Sequence, residues 1–476
     1  MEFEAMFLDN LAMAKLELLK TLLRTPQADT IADLAQAMGQ TYQRTYNLFQ
    51  ALVDDLTVQY SLSPEQARTK LLADAAKRPS LDHYRFFLLQ ASLAWQYFDM
   101  LVQGHTPNLD QFCAKHFISR STLTRKTNLL RKLLRRYRIR LNNAKAVIEG
   151  DEALVRRAIA EIYWRATRGV RWPFGAVDRA TIAAQCQVRP NPAGLLNEFG
   201  YYQLAVARLR LAAGHTLAPL ALPGAYDYFT ADAFPHVTAV DLATENAGMT
   251  FLHHTNLNFS RSDQSAIQAD LEAWFPQAAR ANVRLCQMLA ANYTIDSPTA
   301  CNLLRVIACF MRYGGDYLKA CDFNQPPHQR FVTPHLHREL LAVISTLGVP
   351  ALNTAAEAFA KMVTYLVAPL QRLATSPAAV EICVLVEPND TMNQRLTTFL
   401  TNLQFVHLHN AQTLNQCDLV IAEADSLITP QTQAFAKTHP KQYFIWSLDA
   451  IEADYRKLFA AIDRLHQHKL IKLEQA

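Results

Sequence analysis

The stretch KHFISRSTLTRKTNLLRKLLRRYRIRL, Lys115 to Leu141, holds ten Lys or Arg residues and no Asp or Glu. Just upstream, LDQFCAKH has the length of a short helix, Phe117-Ile118-Ser119 supplies a turn, and Ser119 is an N-cap for a longer helix. A serine hydroxyl does this by accepting a free amide hydrogen of the first helical turn. On the longer helix Leu123, Thr127, Leu130 and Leu134 share one face, at the spacing of an amphipathic helix. Ser121, Arg125, Asn128, Lys132 and Arg136 fall on the opposite face. A short helix, a turn and a second helix with a cationic, amide-bearing outer face is the arrangement that lays a recognition helix in the DNA major groove.

Downstream, YRIRLNNAKAVIEG alternates, with Asn142-Asn143 at a turn, and reads as a two-stranded wing. GDEALVRRAIAEIYWRATRG is then a helix leading to VRWPFG, a natural boundary. The plainer reading of any charge run is a solvated helix face. Against it stand the preceding helix and turn, the small hydroxyls of the SRST start, and the wing. The early part of the helix, with Ser119, Arg120, Ser121, Thr122, Thr124, Arg125 and Asn128, is placed to meet DNA. Arginine bonds guanine through two hydrogen bonds and asparagine bonds adenine. Arg131, Lys132, Arg135, Arg136, Arg138 and Arg140 suit phosphates, which position a protein without specifying sequence.

A similar grammar occurs earlier, in TIADLAQAMGQTYQRTYNLFQALVDDL. Thr30 caps a short helix, Met38-Gly39-Gln40 is a turn, and Thr41 caps a second helix with Leu48 and Leu52 inward. Residues 30–60 hold only Arg44 against Asp33, Asp54 and Asp55. Gln43, Tyr46 and Gln50 face outward, so this copy either reads bases through them or is a packing module.

Half of the 476 residues are hydrophobic, enough for several cores. Residues 1–175 carry 25 Lys/Arg against 17 Asp/Glu, and residues 176–476 carry 22 against 25. The basic surplus is thus local, the footprint of a polyanion-binding module. Eight cysteines stand singly with no CxxC pair, which argues against structural zinc and for free thiols in a reducing cytoplasm. Neither metal nor cofactor is expected. The start MEFEAMFLDNLAMAK is acidic and unlike a signal peptide, and no apolar run is long enough to span a membrane.

HYRFFLLQASLAWQYFDMLV reads as core, and residues 176–375 are almost all helical in pattern. Two sub-regions divide between Phe275-Pro276 and Ser297-Pro298, without a nucleotide loop, HExxH or GxSxG. After Ser376-Pro377, strands EICVLVE, FVHLH, CDLVIAE and QYFIWS alternate with helices at 390–403, TQAFAKTH and 449–468, a small parallel α/β domain. The expected fold is multidomain and mainly α: winged helix-turn-helix domains, two helical bundles, and a small C-terminal α/β domain with a parallel sheet.

FISRSTLTRKTNLLRKLL, IRLNNAKAVIEGDEALVRR and IYWRATRGVRWPF resemble the second DNA-binding region of the Mga-type transcription regulators of Gram-positive bacteria. The order of regions agrees over essentially the whole chain. The resemblance implies an N-terminal helix-turn-helix at 1–62, a Mga-like winged helix-turn-helix at 63–172, and helical phosphotransferase-regulation domains at 176–280 and 281–375. It further implies a domain at 378–476 like the IIB component of the sugar phosphotransferase system. It implies a cytoplasmic, homodimeric regulator of double-stranded DNA, an activator tuned by phosphotransferase-system phosphocarrier proteins. His215, His254, His328 and His335 are the candidate phosphorylation sites, with His215 expected to lie exposed near a helix C-terminus. Three other classes compete. A phosphotransfer enzyme needs a nucleophile after the first C-terminal strand, where Glu387-Pro388 stands and Cys383 lies inside the strand. An RNA-binding antiterminator with the same regulatory domains has a β-type RNA module, whereas residues 1–150 are mostly helical in pattern. A multidomain interaction protein would turn the basic helix toward acidic protein. A membrane is disfavoured because that helix lacks Trp or Phe on its apolar side.

Overall fold

The computed structural model describes residues 3–24, 30–72, 78–104, 108–187, 198–257, 265–290, 293–319, 334–367, 370, 379–386, 393–403, 405–409, 417–423, 443–447 and 450–474. The chain is mainly helical, with one small parallel sheet near its C-terminus.

Helices α1 (Asn10–Arg24), α2 (Ile31–Met38), α3 (Tyr42–Tyr60) and α4 (Pro64–Leu72) form the first unit. The expected caps are in place. The Thr30 hydroxyl accepts from Asp33 N at 3.2 Å while Asp33 accepts from Thr30 N at 3.1 Å, and Thr41 caps α3. Gly39 closes α2 in the left-handed region at φ +62°. Leu48 and Leu52 point inward. α4 packs back on α3, burying Ala67 and Leu71, and Arg68 donates to Gln50 at 2.6 Å. The boundary expected at 62 falls in the turn between α3 and α4.

The second unit holds α5 (Leu81–Ala91), α6 (Leu93–Gln103), α7 (Leu109–Lys115), α8 (Arg120–Lys126), α9 (Asn128–Arg136), β1 (Arg140–Asn142), β2 (Val147–Glu149) and α10 (Glu152–Thr167). β1 and β2 pair antiparallel, Asn142 opposite Val147, which is the expected wing. Trp95, Phe98 and Tyr163 build an aromatic core. The chain's own start completes it. The short 3-10 turn Glu4–Met6 buries Phe3, Met6 and Phe7, and the Phe7 ring meets Trp95 edge-on at 5.4 Å. Glu4 is buried 2.8 Å from the buried Arg85 guanidinium. These first residues belong in sequence to the first unit and in packing to the second.

VRWPFG, expected to mark a boundary, takes part in the packing there. Trp172, Phe174 and Tyr202 stack edge-on at 5.0 to 5.5 Å, and Gly175 N donates to Gln103 at 2.8 Å. Trp and Phe here seal a joint between α10 and α12 (Glu198–Ala212), which lies beyond α11 (Arg179–Gln187). Buried charges reinforce that joint. Arg156 pairs with Glu152 at 2.9 Å and with Glu245, and Arg210 pairs with Glu152 at 2.6 Å. Such a cluster is costly to break, because a charge left behind is uncompensated.

The middle continues through α13 (Ala239–Thr255), α14 (Ser265–Trp274), α15 (Pro276–Leu289), α16 (Ser297–Lys319), α17 (Pro334–Val343), α18 (Pro350–Thr354) and α19 (Ala356–Val367). The expected division at 280/281 falls inside α15, which is unbroken from Pro276. α16 contacts α13, α14, α15 and α19, and one buried hydrophobic cluster runs from Phe3 to Val367. A break does occur in α16, at Gly314 (φ 68°, ψ −177°).

The C-terminal strands β3 (Val380–Leu385), β4 (Val406–His409), β5 (Leu419–Glu423) and β6 (Tyr443–Trp446) are parallel in the order β4-β3-β5-β6. With α20 (Asn393–Thr401) and α21 (Glu452–Glu474) they enclose a separate core around Ile382, Leu396, Ile421 and Leu458. Cys383 is inside β3 and buried, which pushes its thiol up to about 12. Glu387-Pro388 and the helix expected in TQAFAKTH lie outside the described residues.

Candidate nucleic-acid interface

Asn108 caps α7 by accepting from Asp110 N and Gln111 N at 2.9 and 3.0 Å. The chain then turns through His116 and Phe117. Phe117 adopts φ +53°, and Ile118 N closes the turn on Cys113 O at 3.0 Å. Ser119 caps α8, its hydroxyl accepting from Thr122 N at 3.1 Å and lying 2.8 Å from the Ser121 hydroxyl. The local sequence thus produces the expected helix, turn and helix.

The recognition helix differs from expectation in one respect: α8 and α9 are two segments meeting at Thr127 (φ −93°, ψ 5°). Thr127 is buried, and its hydroxyl donates to Leu123 O at 2.9 Å. A β-branched hydroxyl residue that bonds back into its own helix competes with the helical ladder and bends it. The amphipathic plan survives the bend. Leu123, Thr127, Leu130 and Leu134 are buried, and Ser121, Arg125, Asn128, Lys132 and Arg136 are exposed.

The remaining residues expected at DNA divide into two groups. Ser119, Arg120 and Thr124 are exposed and Thr122 is half-buried. Arg120, however, is turned onto Asp110, Nε and Nη2 donating to its two carboxylate oxygens at 2.7 and 2.6 Å. These hydrogen bonds raise the Arg120 pKa. Thr124 accepts a long 3.4 Å hydrogen bond from Asn143 in the wing turn, and Asn143 also accepts from Tyr97 at 3.2 Å. The wing is thereby held to α8. Asp110 and Asn143 were missed as members of this surface. The signal for Asp110 was available, since it is the last acid before a run of 38 residues that holds none. Arg138, expected among the phosphate-contacting cations, takes φ +59° at the root of the wing.

On the first unit, Gln43 and Tyr46 are exposed and Gln50 is half-buried. Gln43 donates to Asn47 at 3.1 Å, Tyr46 stacks on Tyr42 with centroids 6.4 Å apart, and Gln50 accepts from Arg68. Asp33 is engaged in its capping box, and Asp55 meets Lys15 and the Tyr84 hydroxyl.

The histidines part company. His215 is not exposed at its helix end but half-buried, because the chain folds back through Gly214 (φ +80°). Its carbonyl accepts from Arg156 at 2.9 Å, and burial with the nearby Arg210 charge lowers its pKa. His254 is buried, with Nδ1 2.9 Å from Thr250 O and Nε2 2.9 Å from the Asp270 carboxylate. Burial lowers its pKa. With both ring nitrogens engaged, this arrangement offers neither to an incoming phosphoryl group. His328 and the His335 side chain lie outside the described residues.

A two-helix motif with a braced wing and a cationic outer face defines a helix-turn-helix protein of the DNA-binding class. Residues 78–163, from just before α5 into α10, match the family model described as the Mga helix-turn-helix domain. The chain therefore carries a Mga-type helix-turn-helix domain in its second unit, and its helical middle and parallel sheet lie outside the match. No curated protein matches the chain. Among the described residues no helix is long and apolar enough to cross a membrane.

Proposed function

We propose that the chain is a sequence-specific, double-stranded-DNA-binding transcription activator of the cytoplasm, without enzymatic activity, whose second helix-turn-helix reads the operator. The exposed row Ser121, Arg125, Asn128, Lys132 and Arg136, on a bent helix held by buried leucines, carries this reading. In it Arg125 and Asn128 meet base edges, with Ser119, Ser121, Thr122 and Thr124 around them, and Lys132 and Arg136 grip phosphates. Arg120 joins them once it leaves Asp110. Genome-wide mapping of bound DNA tests it: discrete sites for the wild type should be lost on Arg125→Ala. An identical site map from the variant overturns the reading.

The middle and the C-terminal sheet are, on this proposal, the regulatory half: two phosphotransferase-regulation domains and a IIB-like domain. Its phosphoryl donors are phosphotransferase-system carrier proteins, and His215 is the described candidate best placed to feel an added charge, beside Arg156 and Arg210. Added phosphoryl charge there would compete for cations that hold the second unit to the middle. A homodimer through residues 280–476 completes the proposal, supported by exposed Val283, Ile445, Ile451 and Phe459. Truncation after Thr375 should yield monomer in sedimentation.

A further inference from the structure

Where the wing meets the helical middle there is a cavity of about 340 Å³. Arg138, Asp151 and Leu154 line it from the second unit, and Leu217, Arg312 and Tyr313 from the middle. Arg138 stands two residues before β1 and Asp151 two residues after β2, so both ends of the wing open onto this space. Asp151 is the N-cap of α10 and accepts from Leu154 N at 3.1 Å. Arg312 donates to Ala218 O at 3.2 Å and lies over the Tyr313 ring at 5.3 Å. Its Nε is buried with no hydrogen-bond partner among the described residues. A buried guanidinium N–H calls for an acceptor, which an anion in the cavity would supply.

We propose that this cavity binds a small hydroxylated phosphate monoester. Guanidinium groups on opposite walls suit a dianionic phosphate, which takes several charge-assisted hydrogen bonds at once. The Asp151 carboxylate repels a bare anion but accepts from a hydroxyl, and Leu154, Leu217 and Tyr313 give the carbon skeleton an apolar wall. An occupant bridging Arg138 and Arg312 ties the wing root to α16 next to its break at Gly314. It thereby sets the wing against the recognition helix. This coupling to DNA rests on the proposed function; the binding itself does not.

Calorimetry on the full chain without DNA tests the site, titrating inorganic phosphate, glycerol phosphate and a hexose phosphate. At least one ester should bind at least about tenfold more tightly than inorganic phosphate, and Arg312→Gln should weaken it by at least about tenfold. Arg138→Gln, at an exposed position, should do the same and keeps the test valid if Arg312→Gln fails to fold. The site is overturned if no phosphate gives heat at millimolar concentration, if Arg138→Gln binds the ester as the wild type does, or if inorganic phosphate matches the esters. Saturating ester should then shift affinity for an operator fragment. An unchanged DNA affinity overturns the coupling while the calorimetry stands on its own.

Discussion

In the first helix-turn-helix the turn residue is Gly39 at φ +62°; in the second it is Phe117 at φ +53°. Both following helices are capped by a hydroxyl residue, Thr41 or Ser119. Outward, the copies diverge. The first has its polar groups engaged at home: Asp33 in a capping box, Asp55 on Lys15 and Tyr84, Gln50 on Arg68. In the second, no described carboxylate pairs with Arg125, Lys132, Arg135 or Arg136. The comparison teaches that one backbone plan can present either polar groups satisfied within their own unit or an outer face of cations without described carboxylate partners.

The largest expected effect tests how far the second copy depends on the chain's first residues. Glu4→Ala removes one of the carboxylates that pair with the buried Arg85, Asp82 being another. Stranding a buried charge is costly, and the remaining partner puts the loss near about 3 kcal/mol. Denaturant unfolding of the full chain measures it, and a loss below about 1 kcal/mol would show that the N-terminal segment is not a brace.

Next in size is the asymmetry at DNA. Arg125→Ala should cost about 1–3 kcal/mol of specific binding, the range for a bidentate base contact. Gln43→Ala should change affinity by less than about twofold, since Gln43 is matched to Asn47 within its own helix. Equal losses from the two would mean that both copies read bases. Asp110→Asn sharpens the point within the second copy. It releases Arg120 and removes a negative charge from the cationic surface. An exposed pair contributes little, so DNA affinity should rise at most about fivefold, with a steeper salt dependence. A fall in affinity would mean that Asp110 positions Arg120 rather than sequesters it.

Both copies were legible in the sequence because caps, turns and apolar spacing are local. Thr30, Thr41 and Ser119 act within three residues of themselves, and the leucine face of α8 and α9 follows from helical geometry. The parallel sheet was legible for the same reason. What escaped is non-local. Nothing near Phe3 or Phe7 announces that they pack on Trp95. VRWPFG has the composition of a linker, yet its aromatics meet Tyr202 across another helix. The bend at Thr127 was hidden because threonine fits the apolar face while its hydroxyl competes for a backbone carbonyl. The Arg120–Asp110 pair escaped because Asp110 precedes the cationic run and sits on the other helix of the motif.

The smallest effect concerns the two turns themselves. A non-glycine residue in the left-handed region costs roughly 1–2 kcal/mol, because Cβ crowds the following carbonyl. Phe117 bears that cost while 96% exposed as a residue, so truncation there sacrifices little packing. Phe117→Gly removes the strain but gives the unfolded chain more freedom, worth about 0.4–1 kcal/mol against folding. The net should be stabilising by about 0.5 kcal/mol. Gly39→Ala runs the other way. A Cβ at Gly39 meets nothing within 4 Å, so the backbone angle is its only penalty. The same two effects then combine to about 0.5 kcal/mol of destabilisation. Denaturant curves for both variants read the signs. If Phe117→Gly stabilises the fold and leaves DNA affinity unchanged, the two turns are interchangeable scaffolding. If it weakens DNA binding instead, the second copy holds an aromatic in a strained turn for the sake of a contact that the first copy lacks.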